Sequence, residues 1–553
     1  MDKDRAAAPP ARLTKDDVIR KLRFGPQPEK PLDAKRKLPK WEVPAATKTP
    51  PWEVAEYLRV FASIFGRRDT LRRAVLYVLG LLSALRRKNG ETMEAAIPGA
   101  TQQGVYDFLV RSKWDAEALD RARYLHFSQY YGLQGRAVHV LLDETSQVKQ
   151  GELSVGVARQ YLGCVGKVAN GQVAVTVHGL IDEFELPLTG QLYLPERWAK
   201  DKEMRKQAKV PEALGFLTKG QIGIALLERL CTWGLPIERV SADAGYGDLG
   251  MMLALAAHGW PYCLGVRSTF AVRLPGEPLP PPPPARPYAG TGRPPKPPVA
   301  VAHLHTVAET RQALPGARWR RVAYRQGVDG KMLEREFAAL RVHGATKEEQ
   351  GPEVWLLLER PLDPDSNDLK QYILTGAATD SIEELAQIAH RRPLIERGSY
   401  ENAKQEVGLC DYQGRSWHGY HHHLAMAMLA LTWLYLYRHR LPPSPPGFTS
   451  PASPPASPPV PTGTAADQQQ SLPANAALDQ VCLPTGSVPV AFAAPAAQPL
   501  PLPQQAWESV QATRRRVSAW FRAAVIRELL RRGEHPRLPQ LAVPDFLPFL
   551  SSA

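Results

Sequence analysis

The sequence predicts a mixed α/β protein preceded by an all-helical N-terminal domain. Three observations carry this. Val54, Tyr57, Leu58, Phe61, Ile64 and Phe65 recur at helical spacing. From Val138, short apolar runs separated by turn signals read as an antiparallel meander. That meander then passes into alternating strands and helices, the pattern of a mixed sheet with covering helices.

The elements follow in order. Residues 1–50 are rich in Lys, Arg and Pro and are expected to form a disordered basic arm. Residues 51–130 make the helical domain. Asp69 and Thr70 can cap its second helix, which is expected to run through LRRAVLYVLGLLSALRRK and stop at Asn89-Gly90. Arg67, Arg68, Arg72, Arg73, Arg86, Arg87 and Lys88 cluster here. They suit contact with a DNA backbone, or else a solvated helix face. Residues 131–270 open with AVHVLLDETSQ, a strand expected to end in Asp143, then two strands joined at Asn170-Gly171. ELPLTGQLYL, ERVSAD and YCLGV read as further strands, with KGQIGIALLERLCTWG and DLGMMLALAAHG as helices. Residues 271–378 hold a proline-dominated loop and a β-rich insertion. Helices resume at Ser381 and continue through 440. Residues 441–503 are a Pro/Ala-rich linker, and 504–553 hold a basic C-terminal helix and tail.

Composition narrows the function. The 553 residues carry a net charge of +14, which favours an anionic partner such as nucleic acid. The five cysteines form no CxxC pair, which argues against a zinc ribbon or disulfide framework and suits a reducing cytosol. The N-terminal stretch has no apolar core of a signal peptide. The most apolar run, Leu424 to Tyr437, is short for a membrane span and reads as a buried helix.

Asp143 and Asp243 share a setting: each follows an apolar strand and precedes small or polar residues. Ligand and catalytic groups in open α/β sheets gather at strand carboxyl ends. Two carboxylates meeting there repel one another and call for a hard cation, Mg²⁺ first. A pair of such ions, roughly 4 Å apart, can drive in-line phosphoryl displacement. The ordinary alternative for each is a turn or cap aspartate. A third acid is expected from HRRPLIERGSYENAKQEVG, where Glu396 and Glu401 stand among Arg391, Arg392 and Arg397. Asp248 reads as a helix cap. His421, His422 and His423 are adjacent, so a regular helix turns them to different sides and they do not suit one metal ion. Trp417 and Tyr420 read as core aromatics, with base stacking as the alternative.

The strings DETSQVKQGELSVGVARQYLGCVGKVANGQVAV, QLYLPERWAKD, ADAGYGD and KQEVGLCDYQGRSWHGYHHHL, in this order, resemble the bacterial insertion-sequence DDE transposases, in the group described as DDE superfamily endonucleases. The resemblance spans roughly residues 50–440. It implies a ribonuclease-H-like catalytic core with a β-rich insertion. It places the catalytic, metal-holding acids on Asp143 (Glu144 as fallback), Asp243 and Glu396 (Glu401 as competitor). The family's last-helix signature matches Arg392, Glu396 and Lys404, with Ala389 at its Tyr position and one extra residue before Lys404. Lys149, Arg159, Lys167, Arg392, Lys404 and Arg415 are the expected DNA contacts. The implied cofactor is Mg²⁺, with Mn²⁺ able to substitute. The implied partners are double-stranded DNA, as transposon ends and target, and a second copy of the chain on that DNA; no membrane is involved. The implied location is the bacterial cytoplasm, on the nucleoid. Two other classes stay open: a transposase-derived DNA-binding protein without catalysis, and a metal-dependent endonuclease without strand transfer.

Overall fold

The computed structural model describes residues 50–97, 99–181, 184–277, 303–326, 331–347, 349–363, 365–376 and 381–440. The basic arm, most of the proline-rich loop, the Pro/Ala-rich linker and the C-terminal helix lie outside the described residues.

The N-terminal segment is helical: α1 (Pro50–Arg59), α2 (Ala62–Phe65), α3 (Arg68–Leu82), α4 (Gly90–Ala96), α5 (Gln102–Tyr106) and α6 (Ala116–Tyr130), with a π-helical turn at Asp107–Arg111. Val54, Tyr57, Leu58, Phe61 and Phe65 are all buried, as their spacing predicts. The boundaries of α3 differ from expectation. It starts one residue before Asp69, which therefore lies in its first turn rather than at the cap. It ends at Leu82, and Asn89 instead caps α4 by accepting from the Thr92 amide at 3.0 Å. Lys88 is not a surface cation. Its ammonium is buried and donates to the carbonyls of Leu81, Ser83 and Glu406, filling acceptors that helix ends leave open. Arg67, Arg68, Arg72, Arg86 and Arg87 are exposed.

The sheet begins with β1 (Val138–Val148), β2 (Ala158–Leu162), β3 (Lys167–Ile181) and β4 (Phe184–Leu192). Helices α7 (Glu196–Lys200), α8 (Lys202–Gln207) and α9 (Lys219–Thr232) lead to β5 (Ile237–Ala242), α10 (Leu249–Ala257) and β6 (Tyr262–Gly265). The β-rich segment supplies β7 (Ala271–Arg273), β8 (His305–Thr306), α11 (Val307–Ala313), β9 (Arg320–Gln326), β10 (Met332–Ala345), β11 (Gln350–Arg360) and β12 (Lys370–Leu374). Then come α12 (Ile382–Ala389), α13 (Arg392–Ile395), a π-helical turn (Glu396–Tyr400), α14 (Glu401–Glu406) and α15 (Trp417–Arg440).

Among the described residues, twelve strands form one sheet in the order β2-β3-β1-β5-β6-β12-β11-β10-β7-β8, with β4 also on β3 and β9 on β10. β3 runs antiparallel to β1 and β4, while β5 and β6 run parallel to β1. The β-rich segment joins this same sheet, because β12 pairs antiparallel with β6. The hairpin turn between β2 and β3 falls at Gly163–Gly166, with Gly166 at φ +63°, and Asn170-Gly171 lies inside β3. Asn170 has another task there: its amide donates to the carbonyls of Lys149 and Gly151 and fastens the loop after β1. A Cβ on Gly171 would meet the Gln147 carbonyl oxygen at 2.4 Å, so only glycine fits.

Helix α15 is apolar on every side and is buried against β4, α6 and α3. No helix among the described residues is long and apolar enough to cross a membrane. One buried arginine ties these layers. Arg123 on α6 donates to the carbonyls of Pro187 and Leu188 on β4, to Thr432 Oγ1 on α15 at 3.1 Å and to Asp120 at 3.0 Å. Burial pushes the Asp120 carboxyl up, and Arg123 opposes that shift. Arg123→Met leaves Asp120 buried without its counter-charge. It is expected to cost about 3–5 kcal/mol in urea unfolding, with part of that recovered when Asp120→Asn is added.

Candidate active site

The site is built where one parallel pairing stops. β1 and β5 stay in register as far as Leu142 beside Ala242. The next residue on each chain is an aspartate, so Asp143 and Asp243 leave the paired edge side by side. The sequence reading ended β1 at Asp143. The strand in fact runs on to Val148, because Glu144 to Val148 keep their partners on β3 after β5 has turned away.

Each aspartate is held by its own backbone. Asp143 Oδ1 accepts from the Glu144 amide at 2.7 Å, and Asp243 Oδ1 accepts from the Gly245 amide at 2.8 Å. The ADAGYGD stretch is then explained residue by residue. A Cβ on Gly247 would lie 1.9 Å from the Gly265 carbonyl oxygen, so the turn packs directly on the end of β6. Asp248 caps α10, accepting from the Met251 amide at 2.8 Å. Tyr246 is buried with its hydroxyl unpartnered, within electrostatic reach of Asp143 and Asp243.

Glu396 opens the π-helical turn after α13, and an Arg392 Nη2–Glu396 Oε1 pair holds its carboxylate. Burial pushes the Asp143 carboxyl up to about 7; Arg392 opposes the shift, and Asp243 and Glu396 add to it. The Arg392 guanidinium is in turn held charged by Glu396, Asp143 and Asp243 against the effect of its own burial. The structure therefore gathers Asp143, Asp243, Glu396 and Arg392 into one electrostatic cluster. Glu401 is exposed in the first turn of α14. Glu144 is turned to the other face of β1, as adjacent strand residues must be, and pairs with Lys219 at 2.5 Å. Among the described residues no three acidic, histidine or cysteine groups converge tightly enough to grip a cation. The hard carboxylate donors suit Mg²⁺ in kind.

The other expected residues divide. Lys149 is half-buried, donates to the Tyr412 carbonyl and has its ammonium pushed down to about 8 by burial, so it braces the core. Arg159, Lys167, Lys404 and Arg415 are exposed. His421 accepts from the Leu192 amide of β4 at 3.2 Å, His422 meets the carbonyls of Leu109 and Trp114, and His423 meets Tyr77 and Leu409. Burial holds all three imidazoles below their usual range, and they serve as ties between helices and sheet. Trp417 and Tyr420 are core residues. The sequence reading missed Thr176, His178, Ser399 and Tyr400, which are buried behind the acids. Thr176 and His178 lie on the apolar-rich β3 and carry no motif of their own.

Comparisons with known proteins give three likenesses. Residues 60–331 match the family model described as DDE superfamily endonuclease. That span includes Asp143 and Asp243 and stops before Glu396. A probable transposase for insertion sequence element IS701 from Microchaete diplosiphon is 31% identical over 225 residues, 40% of this chain. The match spans 55% of that relative's length, a little over half. A solved piggyBac transposase synaptic complex with hairpin DNA aligns at TM-score 0.36 and 10% identity, over 70% of this chain and 75% of that one. A likeness that low carries no weight here. Over residues 60–331 the chain is thus similar to the DDE superfamily endonucleases, and over 225 residues to an insertion-sequence transposase.

Proposed function

We propose that the chain binds the terminal inverted repeats of a transposon, hydrolyses the 3′ strand at each end and joins the freed 3′-OH to target DNA. The observation that carries this is the Asp143–Asp243–Glu396–Arg392 cluster at the open end of the β1–β5 pairing. The strand order β4-β3-β1-β5-β6, three antiparallel and then two parallel, supports a ribonuclease-H-like core around it. Asp143, Asp243 and Glu396 would hold Mg²⁺, or Mn²⁺ in its place. The bound ion supplies water activation and stabilisation of the leaving 3′ oxygen. The chain's own part is positional. Backbone amides orient both aspartates, and Arg392 keeps three mutually repelling acids together until the ion arrives. Once released by Glu396, its planar guanidinium can take phosphate oxygens in bidentate fashion. Arg159, Lys167, Lys404 and Arg415 are positioned for the DNA backbone, as are the exposed arginines of α3 and of the loop after it. A dimer pairing two ends, and a cytoplasmic location on the nucleoid, follow from the same reading.

The first test uses DNA carrying the gene's own flanking ends with Mg²⁺. Wild type should nick at the repeat boundary and join ends to target. Asp243→Ala should bind the ends normally and cut at least about 100-fold more slowly, since even supporting groups around a metal cost that much. Binding without cutting by wild type, with Mn²⁺ also tried, sinks the catalytic reading in favour of a DNA-binding role. Cutting without joining leaves an endonuclease. Glu401→Gln should cut at close to the wild-type rate.

A second test needs no DNA. The folded-state pKa of Asp143 is raised to about 7, so the stability it allows is fully present below the ordinary carboxylate value and is lost as pH rises through 7. In chelator-treated protein, Asp143→Asn should match wild type near pH 4. It should gain on wild type progressively to pH 7 and stay ahead by about 4 kcal/mol at pH 8. Denaturant midpoints across that range, parallel for the two proteins, would overturn the assignment of Asp143 to this cluster.

A further inference from the structure

Behind the acids lies a buried polar linkage. Tyr400 closes the π-helical turn that Glu396 opens, and its ring is buried. Its hydroxyl donates to the Thr176 carbonyl at 2.9 Å and accepts from Thr176 Oγ1 at 2.8 Å. Thr176 stands directly opposite Asp143 in the β1–β3 ladder, and its Oγ1 is 3.4 Å from the Asp143 carbonyl oxygen. Two further contacts fix the same turn to β3. The Tyr400 ring stacks on His178 with centroids 3.8 Å apart, and Ser399 Oγ meets His178 Nδ1 at 2.5 Å. Ser399, His178 and Thr176 are all fully buried.

The third acid therefore does not hang on an ordinary helix. It starts a one-turn widening of the helix, a feature that recurs at functional sites. The far end of that turn is pinned to the strand residue paired with the first acid. We infer that Thr176 and Tyr400 are positioning residues: their paired hydroxyls fix the distance between Asp143 and the turn that carries Glu396. The inference rests on the proposed role of these acids in holding a divalent cation. Tyr400→Phe removes both of these hydrogen bonds, while Thr176→Val removes only the one that the Thr176 hydroxyl donates and leaves Tyr400 bonded to the Thr176 carbonyl. Supporting groups of this kind typically alter metal affinity or activity 10–100-fold.

The test compares Thr176→Val, which keeps shape and removes the hydroxyl, with Thr176→Ser, which keeps the hydroxyl, and with Tyr400→Phe, which keeps the ring on His178. Full-length proteins are measured for Mn²⁺ binding by calorimetry, for end binding and for Mg²⁺-dependent cleavage. Thr176→Val and Tyr400→Phe should bind Mn²⁺ at least about 10-fold more weakly and cut more slowly. Their end binding should stay within about twofold of wild type. Thr176→Ser should restore both metal binding and cleavage. Metal binding and cleavage like wild type in Tyr400→Phe and Thr176→Val would overturn the inference. So would a Thr176→Ser defect equal to that of Thr176→Val, because the hydroxyl would then not matter. Should Tyr400→Phe fail to fold, the Thr176 pair decides alone. A wild type that neither binds Mn²⁺ nor cuts removes the proposed function itself, which is a different result from wild-type activity with indifferent variants.

Discussion

Everything at the site depends on where β1 and β5 part company. Parallel neighbours share side-chain facing at equal register, so the residues just past Leu142 and Ala242 emerge together. Had either strand been one residue longer before its turn, the two aspartates would face opposite sides of the sheet. The turn after β5 secures this. Gly247 lies so close to the end of β6 that no side chain fits, and Asp248 begins α10 at once. β1 needs no turn, since β3 holds it straight beyond Asp143.

A pair of carboxylates so placed is unfavourable by itself, and the rest of the core reads as a response to that. Arg392 is the nearest remedy, a cation kept charged by three acids despite being largely withdrawn from solvent. It is held from behind as well. His390, two residues earlier, meets buried Glu359 of β11 at 3.0 Å, and Tyr372 of β12 shares that carboxylate at 3.2 Å. The β-rich segment is thus an outward continuation of the sheet that carries the two aspartates, and its buried acid fixes the start of the helix carrying Arg392. Without that sheet extension, α12 would end against no strand.

The sequence made the strand–aspartate pattern legible because burial on both faces writes itself as unbroken apolar runs, and because only a chain end of such a run leaves a carboxylate at a sheet edge. Arg392 and Glu396 came only from the family signature that they resemble, because Arg397 and Glu401 have the same spacing; the structure pairs Arg392 with Glu396. It misled where two explanations share one local signature. Asn170-Gly171 looks like a hairpin turn, yet here Asn170 latches a loop and Gly171 admits a neighbouring backbone. Lys88 and Lys149 look like surface cations, yet both spend their ammonium groups on carbonyls inside the core. Charge alone does not tell a DNA contact from a helix-end clamp; tertiary placement does. Thr176 and Tyr400 were invisible for the opposite reason: a threonine in a strand and a tyrosine in a helix are ordinary until a fold brings their hydroxyls together.

The three adjacent histidines show the same logic from the other side. On any regular helix three successive side chains diverge. On α15, which has no exposed face, their side chains must point three ways into packed surroundings, and each finds backbone or hydroxyl partners on a different element. His422 also stacks on Trp114 with centroids 3.9 Å apart, so the helical N-terminal segment is bound to the core through rings as well as hydrogen bonds. Burial keeps these imidazoles neutral, and a neutral imidazole offers one donor and one acceptor. His421 and His423 each use both in that way. The consequence is mechanical. The helices that carry the exposed arginines α3 presents are seated on the same central helix that backs β4, and β4 flanks the strand that lines up Thr176 with Asp143. The N-terminal helices and the strands that carry the acids therefore share one packed support.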